Sequence, residues 1–309
     1  MRSSGGKGGL RHEANPHLHA GGARDGRRHR FRRGRVARPP ADRDEGVRLP
    51  RGCPPDERRA YGRGPSQLVE VYLPKKGVRP YRTVVFFHGG CWLSQFGLEP
   101  VGGFCRALAD EAGVAVVNAE YRRAGEEGGG FPGTFLDAAA ALDFVEEMAD
   151  ELLLSRESVT VAGHSAGGHL ALWLAARPGL PADDPLRTAV RIRPARVVAL
   201  APIADLRDLP FTACADAADG LLGPPSLRAL RLRSASPAAR LPLGAPQVVV
   251  GGAKDSIVPV ATLRGYVSRA KAAGDAASLV EVPEAGHFEL VTPGSTAWEA
   301  VKAAFREPR

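Results

Sequence analysis

Residues 158–168 read Ser158-Val159-Thr160-Val161-Ala162-Gly163-His164-Ser165-Ala166-Gly167-Gly168. The first five are a short apolar run of the kind a buried strand shows, and the Ala- and Leu-rich stretch Ala166–Ala176 that follows reads as a helix. Gly163-His164-Ser165-Ala166-Gly167 therefore places a serine at the tip of a strand–turn–helix in the G-x-S-x-G spacing. A serine hydroxyl becomes a useful nucleophile only when it projects from a tight turn toward a base. The flanking glycines let neighbouring backbone pass close to that turn. The helix behind Ser165 offers unpaired N–H groups and the positive end of its dipole, where a developing oxyanion could rest.

Outward from this stretch, the chain alternates strands with helices. Gln67–Leu73 alternates apolar and polar residues and predicts an outer strand. Thr83–Phe87, Val114–Asn118, Arg196–Ala201, Gln247–Gly251 and Ser278–Val282 predict further strands, most of them continuously apolar. Helices are predicted at Phe104–Ala112, Thr134–Glu151, about Val260–Ala273 and Ser295–Phe305. This pattern belongs to an α/β fold with a mostly parallel central sheet covered by helices on both faces. The alternation fails across residues 202–246, which hold Pro210, Pro224, Pro225 and Pro237 with helical pieces such as Ser226–Leu232. That segment is too long for a simple connection and is expected to form a cap over the strand ends.

Of the 309 residues, 44% are hydrophobic, enough for a sizeable core, and no apolar run reaches the roughly 18 residues of a membrane span. The net charge of +8 is unevenly placed. Residues 1–65 hold 17 Lys and Arg against 7 Asp and Glu, and the rest of the chain holds 25 against 27. The basic, glycine- and arginine-rich segment 1–65 has too little apolar surface to offset the entropy of ordering and is expected to be disordered. It reads as an extension without a function of its own, of the kind an early start codon or reading-frame error leaves; no nucleic-acid partner is expected from it. Residues 66–309 are expected to form the catalytic domain. Cys53, Cys91, Cys105 and Cys214 lack paired spacing, so neither a zinc site nor a disulfide framework is expected, and the expected compartment is a reducing cytoplasm.

Ligands in open α/β sheets bind beyond the carboxyl ends of the strands. Four histidines lie beyond residue 65. His88 ends the strand Thr83–Phe87, His164 sits in the turn of Ser165, His169 lies one turn into the following helix, and His287 follows the final strand. His287 is the best-placed general base. Its orienting carboxylate is expected from Asp255, which follows the strand Gln247–Gly251, with Asp205 as runner-up. His88-Gly89-Gly90-Cys91-Trp92 lies at a strand end upstream of the serine, where glycines let backbone N–H groups approach a substrate oxygen. The amides of Gly90, Cys91 and Ala166 are the expected oxyanion hole, and His88 is expected to anchor that loop rather than move a proton. Trp92, His164, Phe96 and the 202–246 segment are expected to shape the substrate pocket.

These motifs, with Glu120-Tyr121-Arg122, Phe131-Pro132-Gly133 and Asp137, resemble the esterase/lipase group of the α/β-hydrolase superfamily over about residues 66–307. That group includes kynurenine formamidase-like enzymes, hormone-sensitive-lipase-like carboxylesterases and small acetyl/feruloyl esterases. The resemblance implies Ser165 as nucleophile, Asp255 as acid and His287 as base, in the order Ser, Asp, His. Cys91-Trp92 stands where the lipase-like branch has a third glycine, closer to the formamidase pattern. The expected activity is hydrolysis of small carboxylic esters through an acyl-enzyme on Ser165, without metal or organic cofactor. Arylformamidase activity is the alternative, and a catalytically silent binding scaffold is the alternative of another class. The expected partner is a small ester or amide; the oligomeric state is left open, a homodimer included.

Overall fold

The computed structural model describes residues 53–306. Among these residues eight strands form one sheet: β1 Glu57–Ala60, β2 Leu68–Tyr72, β3 Tyr81–Phe87, β4 Ala115–Ala119, β5 Leu154–His164, β6 Arg196–Leu200, β7 Gln247–Gly252 and β8 Ala277–Val282. Their spatial order is β1-β2-β4-β3-β5-β6-β7-β8. The first two strands pair antiparallel, β2 pairs antiparallel with β4, and every pair from β4 to β8 is parallel. The α/β architecture read from the apolar runs is thus the observed one. All five residues of β4 are buried, as expected of a strand covered on both faces.

Eight α-helices surround the sheet among the described residues: α1 Gly102–Ala112, α2 Gly133–Asp143, α3 Val145–Leu152, α4 Ala166–Ala176, α5 Ala218–Leu222, α6 Pro225–Ala235, α7 Val260–Ala272 and α8 Trp298–Ala304. All eleven residues of α4 are buried, which matches its near-absence of polar side chains. The single helix expected over 134–151 is two, meeting at Phe144. That residue keeps helical angles (φ −67°, ψ −19°) and its N–H donates to both Ala140 O and Leu142 O. The chain tightens there rather than leaving the helix. Residues 202–246 contain α5, α6 and short 3₁₀ turns but no strand.

The ordered sheet begins earlier than the composition shift at residue 66 indicates. β1 lies inside the segment expected to be disordered, and its four residues pair with Leu68–Val71. Arg58 pairs with Glu70 and Arg59 with Glu151, so charges that suggest disorder in sequence here find carboxylate partners. Residues 1–52 of that segment lie outside the described residues.

One ion pair of the helical layer has its arginine fully enclosed and its carboxylate mostly so. The Arg177 guanidinium, fully enclosed, donates to both oxygens of Asp143 (3.0 and 2.8 Å) and to Ala139 O (3.2 Å). The same carboxylate accepts the amides of Arg191 and Ile192. Removing one partner of such a pair leaves an uncompensated buried charge. Asp143→Ala is therefore expected to lower the unfolding free energy by about 3–5 kcal/mol. Urea unfolding checks this, and a midpoint equal to wild type counts against it.

Candidate active site

Register puts the chemistry in one place. In the parallel pair of β3 and β5, Phe87 stands opposite Gly163, so His88 and the turn at Ser165 leave the sheet side by side. Ser165 itself has φ 55° and ψ −117°, left-handed for a residue with a side chain. Such backbone costs on the order of 1–3 kcal/mol and persists only where its surroundings over-determine it. Here Ser165 N donates to Leu200 O on β6 (2.8 Å), and Ser165 O accepts from His169 N in α4. A methyl group on Gly167 would lie 2.0 Å from Phe87 O and 2.5 Å from His88 O. Only glycine lets α4 start this close to the end of β3.

β7 and β8 deliver the other two residues. Their trailing loops are laced together by Ala253 N donating to Val282 O and Lys254 N to Ala285 O, both at 3.0 Å. His287 Nδ1 and Asp255 Oδ2 are 2.7 Å apart, and both side chains are buried. The other Asp255 oxygen, Oδ1, accepts the amides of Ile257 and Val258 at 2.8 Å each, which fixes the carboxylate's orientation. Asp205, the runner-up, is engaged elsewhere: it accepts from Arg207, Arg269 and Ser236 Oγ. Burial pulls its carboxyl upward, but the two arginines and the Arg207 amide outweigh that and hold it below the usual range.

The loop of His287 folds back onto the turn of Ser165. His164 Nε2 lies 3.1 Å from the carbonyl of His287, and the two imidazoles are 4.3 Å apart between centroids. A carbonyl only accepts, so His164 carries its proton on Nε2 and donates it. Burial, reinforced by the field of His287, depresses the His164 imidazole well below its ordinary value and keeps it neutral. The expectation that His164 lines the substrate pocket gives way to a different placement: it is enclosed and grips the backbone of His287.

The loop after β3 has an unusual backbone. Gly90 (φ 109°), Cys91 (φ 51°) and Trp92 (φ 56°) are successive residues in the left-handed region. Gly89 packs against the serine turn, where an added methyl would lie 3.1 Å from Ser165 Cβ. No acceptor among the described residues takes the amides of Gly90, Cys91 or Ala166. His88 is buried, with Nε2 2.8 Å from Glu120 Oε1 and Nδ1 2.8 Å from Gly89 O, and its ring stacks on Tyr121. Tyr121 Oη donates to His88 O (2.9 Å). Burial raises the Glu120 carboxyl, but His88, Arg123 and the Tyr121 amide outweigh it and hold it below the usual range.

Trp92, expected in the pocket, is fully buried instead. Its indole meets the His169 ring edge-on at 5.1 Å and belongs to the core. The exposed aromatic rings near the site are Phe96, beneath Gly90, and Phe288, whose ring centroid lies 5.3 Å from that of His287. Three features escaped the sequence reading. One is the anchoring role of Glu120, which the strand-end rule could have found, since Glu120 follows β4 and β4 neighbours β3. Another is Phe288. The third is the Cys91–Cys214 disulfide, which overturns the expectation that no disulfide forms; a separation of 123 residues carries no local signal. No group of three or more His, Cys, Asp or Glu among the described residues could hold a metal ion.

The BD-FAE family model matches residues 69–264. The family match takes in the loop after β3, Ser165 and Asp255 and ends before His287. Esterase LipC of Mycobacterium tuberculosis is 29% identical over 255 residues, covering 77% of this chain and 61% of that protein. Carboxylesterase NlhH of the same organism is 38% identical over 107 residues, 35% of this chain and 33% of its own. The chain thus spans about three fifths of LipC and one third of NlhH in these matches. Among solved structures, esterase LipW from Mycobacterium marinum matches with TM-score 0.64 at 23% identity over 81% of this chain and 82% of its own. Esterase B from Lactobacillus rhamnosis matches with TM-score 0.66 at 23% identity over 81% and 87%. At these identities the structures speak to the fold.

The buried histidines set the acid limb of stability. Burial also depresses the His169 imidazole, to about 4. For both His164 and His169 the folded state refuses a proton that the unfolded chain accepts below about pH 6.5. Stability is therefore full above that pH and is lost as pH falls from about 6.5 toward the folded values. The unfolding free energy is expected to be on the order of 3 kcal/mol lower at pH 5 than at pH 7.5, with His169→Gln removing about half of the difference. Urea midpoints across this range check it; a flat profile contradicts it.

Proposed function

The chain belongs to the BD-FAE family, and from that premise we propose that it is a serine hydrolase that cleaves small carboxylic esters through an acyl-enzyme on Ser165. The observation that carries this reading is the buried His287–Asp255 pair at 2.7 Å, packed against His164, whose neighbour Ser165 sits in a strained strand–helix turn. Ser165 Oγ attacks the ester carbonyl while His287 Nε2 takes its proton. Asp255, oriented by two amides, holds Nδ1–H and stabilises the imidazolium. The oxyanion rests on the amides of Gly90, Cys91 and Ala166, which no acceptor among the described residues takes. His287 then returns the proton to the leaving alkoxide, and water releases the acyl group by the reverse sequence. No step in this scheme calls on a metal or organic cofactor.

The relatives' names favour esters, since LipC is an esterase and NlhH a carboxylesterase. The half-exposed rings of Phe96 and Phe288 offer apolar surface to the acyl or leaving group. Formamide hydrolysis would use the same apparatus and rests only on the Gly89-Gly90-Cys91-Trp92 pattern. No helix among the described residues is long and apolar enough to cross a membrane. The Cys91–Cys214 bond supports an oxidising compartment rather than the cytoplasm expected from cysteine spacing.

Labelling with a fluorophosphonate and turnover of p-nitrophenyl acetate test the reading. Wild-type protein is expected to label at Ser165 and Ser165→Ala to lose labelling and turnover together. Asp255→Asn is expected to keep its circular dichroism and lose about 10⁴-fold in kcat. A Ser165→Ala variant with wild-type turnover overturns the assignment. An unlabelled, inactive wild type points to a silent scaffold.

A further inference from the structure

The disulfide joins two segments that the catalytic scheme leaves unconnected. Cys91 supplies one of the amides assigned to the oxyanion and sits in the middle of three left-handed residues. Its sulfur is bonded to Cys214, in the segment between β6 and β7, with a Cα–Cα distance of 5.3 Å. From Cys214 the connection continues. The neighbouring Ala213 N donates to Ile257 O (3.0 Å). Ile257 N donates to Asp255 Oδ1, and Asp255 Oδ2 faces His287 Nδ1. Thr212 Oγ1 accepts Cys214 N at 3.2 Å and donates to Leu209 O, so the bridging stretch is itself held in a turn.

On the other side of the loop the grip is polar. His88 and Tyr121 hold the residues before Gly90, and Ala124 N donates to Trp92 O (2.8 Å). Between these anchors, the Cys91 side chain is fixed by the disulfide. A loop that must hold successive left-handed residues needs restraint on both flanks and at its apex.

We propose that the Cys91–Cys214 disulfide is a positioning element of the active site: it fixes the oxyanion loop to the 212–215 turn, which is tied in turn to the loop of Asp255. The donors for the oxyanion and the acid that orients the base are then referenced to one rigid stretch. The inference rests on the hydrolase reading of Ser165 above. Displacing such donors by about 1 Å can cost 10²-fold in rate. A cross-link that served stability alone would change resistance to heat and urea but leave kcat at 25 °C untouched.

The test compares oxidised wild type, wild type reduced with a water-soluble trialkylphosphine, Cys214→Ser and Cys214→Ala. In the reduction the S–S bond breaks and each sulfur takes a proton, while the phosphine gains oxygen from water and becomes its oxide. A phosphine avoids thiolysis of the ester substrate. Titration of denatured protein is expected to find two thiols, Cys53 and Cys105, before reduction and all four cysteines as thiols after. With p-nitrophenyl acetate, reduction is expected to lower kcat about tenfold or more while KM stays within about twofold. The fluorophosphonate labelling rate falls in step, because the phosphonyl oxygen uses the same donors. Both Cys214 variants match reduced wild type and ignore the phosphine, and reoxidation restores wild type alone.

Unchanged kcat with all four thiols titrated overturns the proposal and leaves the hydrolase reading standing. Four thiols in the protein before reduction overturn it too. A fall in kcat that appears only together with loss of the circular dichroism signal assigns the bond to stability and also overturns it. Oxidised protein that neither labels nor hydrolyses ester defeats the hydrolase reading and this inference together.

Discussion

The start of α4 lies so near the end of β3 that no side chain fits at Gly167, where an added methyl would stand 2.0 Å from Phe87 O. Much else at the site depends on this contact. It forces Ser165 into a left-handed turn between a parallel strand and a helix. It brings the loop after β3 against the serine, with Gly89 on Ser165 Cβ. It leaves the amide of Ala166, at the first turn of α4, without an acceptor among the described residues. The cost of the strained serine backbone is met by the burial of α4, whose eleven residues are all buried.

Around that contact the buried polar groups are sorted into separate assemblies with little sharing. Glu120 is saturated by His88, Arg123 and the amides of Leu98 and Tyr121, and its effect is to hold the loop that precedes Gly90. Asp205 is saturated by arginines and Ser236. Asp255 alone of these three puts one oxygen on two amides and the other on a histidine that follows the last strand. A carboxylate already neutralised by arginine would stabilise a neighbouring imidazolium less, so the partition of arginines toward Asp205 and away from Asp255 has a chemical sense.

The fold was legible because its central strands are continuous apolar runs, and periodicity is enough to read those. The strand-end rule then nominated Ser165, Asp255, His287 and the Gly89-Gly90 loop, and because sheet order follows chain order from β5 to β8, the loops of Asp255 and His287 do meet. What the sequence did not disclose is what tertiary pairing decides. β1 is charged and short, and it becomes a strand only because β2 and Glu151 are there to receive it. Trp92 reads as a pocket residue from its position but is drawn into the core beside His169. Cys91 and Cys214 are brought within bonding distance only once the segment between β6 and β7 folds back over the strand ends.

The four histidines of the site region show how partners, not position, assign roles. His88 has acceptors on both ring nitrogens and no proton to move without losing one of them. His164 spends Nε2–H on the carbonyl of His287, and burial keeps it neutral. His169 spends Nε2–H on Ala235 O, and its Nδ1 is enclosed without a partner, a setting that also opposes protonation. His287 differs from all three: a carboxylate takes Nδ1, and no described residue hydrogen-bonds Nε2. A base for Ser165 needs both conditions at once, a counter-charge behind the ring and a free nitrogen in front of it. Among these four only His287 meets them, and the neutrality enforced on His164 matters for the same reason. A second imidazolium 4.3 Å away would oppose the charge that the proposed scheme has His287 take up on accepting the serine proton.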